Sequence, residues 1–173
     1  MYETHEDHVW LQSLLDRSYR RAGEHLRSIT TPARRISAVD LCDLLPGVQI
    51  LEVATVTADG RPRVAPVDGL FFRGHFYFGS SRTSLRYRHL RARPQVSAAH
   101  TRGEEISVVV HGTARLFSLL DPDRQEFRDY CHEVYLPRYG EGWADFARGD
   151  DIFYAVIEPE LMFTFRMDQP RLT

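Results

Sequence analysis

One stretch limits the fold more than any other: Arg61 to Pro94, RPRVAPVDGLFFRGHFYFGSSRTSLRYRHLRARP. Its first arm, Arg61 to Val67, is β-rich but carries Pro62 and Pro66. Proline removes ladder donors, so this arm is an edge strand or holds a bulge. An open edge of this kind suits a structural margin or a docking place for a flat polar ring. Asp68-Gly69 is the candidate bulge. Leu70 to Phe72 and His75 to Phe78 read as short aromatic strands around an Arg73-Gly74 turn. Arg82 to Arg93 holds no Gly or Pro and stops at Pro94, which predicts a helix.

The start of that helix is where chemistry concentrates. Ser80, Ser81, Arg82, Thr83, Ser84 and Arg86 place hydroxyls and guanidinium groups beside unpaired helix N–H groups. Such a set satisfies a phosphate dianion without a metal. The plain alternative is an ordinary N-cap with solvated arginines. A nucleic-acid face is disfavoured by the formal charge of -2.

The remaining chain supplies a barrel around this stretch. Glu6 to Ser28 has apolar residues at helical spacing and a charged opposite face, so it reads as one amphipathic helix. Thr30-Thr31-Pro32 breaks it, and Ser37 caps a short helix ended by Pro46-Gly47. Val48 to Val56 is a strand, and Asp59-Gly60 turns it into the proline-bearing arm. Gln95 to Thr101 and Ile106 to Phe117 are two more strands. Gly112 interrupts the second, the kind of bend a barrel needs. Asp121-Pro122 opens a helix to about Tyr135. Pro137 to Gly142 reads as loop, and Trp143 to Phe146 as one helical turn. Ile152 to Ile157 and Leu161 to Met167 close the chain as two strands around Glu158-Pro159-Glu160. The expectation is one α+β unit: a mostly antiparallel, six- to eight-stranded split β-barrel over 37–168 with flanking helices, preceded by a helical extension over 1–36.

Several function classes fall away. No nucleophile elbow, Walker loop, dinucleotide fingerprint or zinc-protease motif is present. His25, His75, His89, His100, His111 and His132 share no ligand spacing, and the His5/His8 pair in HEDH sits at a chain end that holds ligands poorly. Cys42 and Cys131 form no C-x-x-C pair, which predicts free thiols in a reducing cytoplasm. No apolar run reaches the roughly 20 residues of a membrane span. All 22 basic residues are Arg, and Asn is absent as well. Both missing residues have AT-rich codons, so the source is expected to be a bacterium with a GC-rich genome.

The ordered series LEVATVTADGRPRVAPV, FYFGSS, SLRYRHLRARPQVSA, VVVHGTARL and VIEPELMFTFRM resembles the pyridoxamine 5'-phosphate oxidase-like family of flavin-binding split barrels. The resemblance covers Ser37 to Asp168. It implies a homodimer with FMN at the subunit interface and a small-molecule redox substrate. It also implies that Arg63, Val64, Ala65 and Pro66 run along the flavin ring. Ser80, Ser84 and Arg86 would hold the phosphate and Ser107 would approach the cofactor, while Ser81 and Arg82 are cofactor-binding candidates from the hydroxyl and arginine cluster alone. Phe71, Phe72, Phe76 and Phe78 are candidates for a dry wall beside it. Asp68 and Leu85 stand where the oxidase itself has Lys and Arg, so pyridoxamine phosphate oxidation is not expected. The same resemblance admits deazaflavin coenzyme F-420 in place of FMN. It also admits a non-catalytic flavin- or haem-binding protein, with His100 or His111 as the axial ligand.

Overall fold

The computed structural model describes residues 2–147, 149 and 151–167. Among these, six strands close in the order β1-β2-β3-β6-β5-β4, every neighbouring pair antiparallel. The strands are β1 (Val48–Val56), β2 (Pro62–Phe72), β3 (His75–Ser81), β4 (Gln95–Arg102), β5 (Ile106–Phe117) and β6 (Ile152–Arg166). The helices are α1 (His5–Arg21), α2 (Glu24–Ile29), α3 (Ala38–Leu44), α4 (Leu85–Ala92), α5 (Gln125–Tyr139) and α6 (Gly142–Ala147). The end of the expected barrel range, Asp168, lies outside the described residues.

The expected helix Glu6 to Ser28 is two helices. Thr4 starts α1 with a reciprocal capping box to Asp7, and the chain turns extended at Ala22 before Gly23 caps α2. Ser37 caps α3 as expected, accepting from the Asp40 N–H at 3.2 Å. In the β2–β3 hairpin both Arg73 and Gly74 take positive φ, the two-residue turn whose twist suits flanking strands.

β2 pairs residue for residue with β1 from Pro62 to Leu70, so Asp68-Gly69 is not a bulge. Gly69 is small for another reason: a Cβ there would come within 2.3 Å of the Leu51 side chain. With β3, by contrast, β2 pairs only from Gly69 to Phe72. The half of β2 that holds both prolines therefore has an open edge, as its composition requires.

Gly112 does mark a bend. The β5–β6 register shifts between His111 and Gly112, and a Cβ on Gly112 would meet the Glu158 carbonyl oxygen at 2.1 Å. This irregularity absorbs Glu158-Pro159-Glu160, so the two expected closing strands are one continuous β6. The expected loop from Pro137 is helix instead: Pro137 lies inside the last turn of α5, where the helix continues to Tyr139.

Two apolar cores result. The barrel interior is filled by Leu51, Val53, Phe76, Phe78, Val108 and Phe153, with Leu11, Leu14 and Leu15 of α1 packed into the same cluster. The second core lies outside the barrel under α5 and α6, around Phe72, Tyr77, Phe127, Tyr135 and Trp143. β6 leaves β3 after Val156, and α1 takes over the exposed backbone. The Met162 N–H donates to Ser18 Oγ at 2.9 Å, and the Thr164 N–H donates to the Tyr19 hydroxyl at 2.8 Å. That hydroxyl in turn donates to the Thr164 carbonyl at 2.6 Å. Side chains of a helix thus supply partners to backbone groups along a sheet edge.

Candidate cofactor site

Beyond Gly69 and Phe78, β2 and β3 separate, and β3 runs on through Ser80 and Ser81 along β6. The candidate site lies in this split. Arg86, in the first turn of α4, reaches back across it. Its Nη1 donates to Ser80 Oγ at 3.4 Å, and its Nη2 donates to the Ala65 and Pro66 carbonyls at 3.3 and 3.4 Å. These contacts are long, and every acceptor is neutral. No carboxylate pairs with Arg86 among the described residues. Burial alone pushes its pKa down from the usual guanidinium value. A half-buried cation held only by neutral acceptors is a site where an arriving anion gains most.

The expected phosphate residues do not all act alike. Ser80, Ser84 and Arg86 converge, with Ser80 Oγ donating to Ser84 Oγ at 3.4 Å. Ser84 also caps α4, accepting from the Tyr87 N–H at 3.1 Å, so the plain N-cap and the anion cradle share one hydroxyl. Ser81 Oγ is engaged with Thr83, whose N–H it accepts at 3.1 Å. Arg82 turns its Nη1 to the Tyr87 hydroxyl at 3.0 Å. Arg63, Val64, Ala65 and Pro66 are exposed along the open edge of β2 beside Arg86, and Val64 is 66% exposed although apolar. Leu85 is exposed and contributes no polar group.

Ser107 is elsewhere. It pairs with Phe165 near the end of β6, whereas Ser80 pairs with Phe153 at its beginning, so one chain does not bring the two together. His100 is buried, its Nδ1 at 3.0 Å from the Ile50 carbonyl and its Nε2 without a partner among the described residues. His111 faces Ser97 Oγ at 2.8 Å. The two imidazoles belong to the β4–β5 side of the barrel. Among the described residues no group of His, Cys, Asp or Glu is arranged to hold a metal ion.

The expected aromatic wall is corrected as well. Phe71, Phe76 and Phe78 fill the barrel core, and Phe72 fills the second core; all four are at most 4% exposed. The wall beside the split comes from the helices instead. A cavity of about 610 Å³ opens between Ser80-Ser81 and the α5–α6 pair, lined by Tyr135, Tyr139, Trp143, Phe146 and Tyr154. Tyr135 stacks on Trp143 with ring centroids 5.1 Å apart. The sequence signal was the aromatic density of YLPRYGEGWADF, obscured by reading Pro137 as the end of a helix. Asp68 turns toward this cavity, accepting from the Tyr139 hydroxyl at 3.3 Å, and makes no ion pair with Arg86.

The sequence profile of the pyridoxamine 5'-phosphate oxidase family matches residues 41–155, which run from within α3 to the first residues of β6 and take in all of the cradle. The chain belongs to this family. No curated protein matches it. Among solved structures, a conserved hypothetical protein of Mycobacterium tuberculosis superposes with a TM-score of 0.65 at 15% identity, covering 79% of this chain and 88% of that one. An FAD-binding protein of Mesorhizobium loti gives 0.57 at 22% identity over 78% and 98%. An F420 reductase gives 0.53 at 22% identity over 69% and 93%. At these identities the likeness is one of fold.

Proposed function

We propose that this chain is a flavin-dependent oxidoreductase that binds FMN in the β2–β3 split as a homodimer and acts on a small-molecule redox substrate. The observation that carries the reading is Arg86: a half-buried guanidinium spanning Ser80 and the open β2 carbonyls, with no carboxylate partner among the described residues. Family membership supports it. Arg86, Ser80 and Ser84 fit a phosphate, and the N–H groups in the first turn of α4 add donors. The open edge from Arg63 to Pro66 offers backbone groups to a flat heteroaromatic ring. A flavin bound there supplies hydride transfer at its central ring. The chain's own part is to bind, orient and keep water off one face of that ring.

Exposed Ile50 and Val64, on the neighbouring strands β1 and β2, favour burial against a second copy. In such a dimer Ser107 has a route to a site that its own chain does not give it. Two free cysteines, one half-buried and one buried, suit a reducing cytoplasm. No helix among the described residues is long and apolar enough to cross a membrane.

The test is cofactor titration of the purified protein, read by flavin absorption and fluorescence quenching. Arg86→Ala is expected to weaken FMN binding about 10–100-fold, the size of one charge-assisted hydrogen bond. The double variant with Ser84→Ala is expected to lose retained flavin while staying folded by circular dichroism. Unchanged retention in Arg86→Ala refutes the cradle. Tight binding of coenzyme F-420 with no uptake of FMN replaces the flavin by a deazaflavin on the same residues.

A further inference from the structure

The cavity under α5 and α6 is not needed to hold a phosphate, yet it has the size and lining of a ligand site. Its volume of about 610 Å³ lies within the range of small-molecule pockets. Five aromatic rings face it, and two of them, Tyr135 and Trp143, are stacked and almost fully buried. Burial pushes the Tyr135 and Tyr154 phenols up, so both stay neutral across the physiological range. Asp68 is the single charged residue among the described residues that line the cavity. It is exposed and lies in no ion pair among them, and its neighbour is a hydroxyl, Tyr139.

Neutral aromatic faces around one unpaired carboxylate select by charge. An anion meets Asp68 and is repelled. A neutral ring gains apolar burial only. A ring that carries an ammonium group gains that burial, a charge-assisted hydrogen bond to Asp68, and attraction to the aromatic faces. Ser80 links this cavity to the cradle, because its hydroxyl accepts from Arg86 while its residue lines the cavity wall. We propose that the cavity bounded by Asp68, Tyr135, Tyr139 and Trp143 binds arylalkylamines, with Asp68 reading the ammonium group. Calling this ligand the substrate rests on the oxidoreductase reading above; its binding does not require the cofactor.

The experiment uses three probes of one shape on the full chain: 2-phenylethylamine, 2-phenylethanol and phenylacetate, titrated by calorimetry at neutral pH with and without FMN. The amine is expected to bind about tenfold more tightly than the alcohol, and phenylacetate more weakly than either. Asp68→Asn is expected to abolish the preference for the amine, leave the alcohol's affinity unchanged and leave FMN retention unchanged. Phe146→Ser, at an exposed position, is expected to weaken the amine and the alcohol alike. The proposal is overturned if the folded protein binds none of the probes. It is also overturned if the acid or alcohol binds as tightly as the amine, or if Asp68→Asn keeps the preference. Amine binding without FMN uptake sinks the cofactor reading and leaves this one standing; FMN uptake without amine preference does the reverse.

Discussion

Tyr19→Phe tests whether α1 is part of the barrel rather than an appendage. The substitution keeps the ring, its packing in the barrel core and its edge contact with Phe163 at 5.7 Å. It removes one hydroxyl that serves two backbone groups of Thr164, accepting from the N–H at 2.8 Å and donating to the carbonyl at 2.6 Å. Thr164 is 1% exposed, so water does not replace the lost partner. A buried group left unsatisfied costs about 1–3 kcal/mol, and two such groups sharing one site give an expected loss of about 3 kcal/mol. For a chain of this size that is a fall in Tm of about 6–12 °C. Equilibrium urea unfolding followed by circular dichroism reads it as a lower midpoint at unchanged slope. A loss below about 0.5 kcal/mol, the scale of an ordinary surface substitution, refutes the claim that this hydroxyl closes the edge of β6.

Two further outcomes follow from the cores and the bend. Burial, the largest cause, pushes the Tyr77 phenol up from its usual 10.0 to about 12. The neutral phenol is therefore favoured in the folded state. Its contribution, about 2–3 kcal/mol, is complete below pH ~10 and is lost as pH rises toward 12. Tyr77→Phe is expected to flatten the alkaline fall in urea midpoint across that window; an unchanged slope refutes the assignment. Gly112→Ala places a Cβ against the Glu158 carbonyl oxygen, so β5 and β6 must shift apart. A loss of about 1–3 kcal/mol in unfolding free energy is expected, and a neutral effect shows that the bulge is pliable.

Strand positions were legible where pattern and punctuation agreed. β1 and β5 fall where Val48 to Val56 and Ile106 to Phe117 were read, since β-branched runs between turn residues leave little choice. Pro62 and Pro66 announced an open edge because proline cannot donate to a ladder, whatever the tertiary context. The failures lie where packing overrides local propensity. Pro137 stays helical because α5 covers the second core through Phe127, Cys131 and Tyr135, and that burial holds the last turn together. Glu158-Pro159-Glu160 looks like a turn, but the space that Gly112 leaves lets β6 pass through it.

The cradle was half legible. Ser80, Ser84 and Arg86 are close in sequence and announce a helix start, so the pattern found them. Their partners Ala65 and Pro66 act through carbonyl oxygens, and a carbonyl has no sequence signature. The aromatic lining of the cavity depends on where α5 and α6 fold back over the strands, a long-range fact that periodicity does not carry. The four phenylalanines of β2 and β3 were the louder signal, and they serve the cores.

The link between α1 and β6 has a kinetic side. Ser18 and Tyr19 meet residues 144 and 145 positions further along the chain. An early helix and the last described strand must therefore find each other before this edge of β6 is covered, and the entropy of closing so long a loop comes before any reward from the contact. On the ribosome, the apolar face of α1 emerges well ahead of the strand it covers. Until β6 is released, Leu11, Leu14 and Leu15 are exposed to other chains, and that interval is when this protein is most open to chaperones or to misassembly.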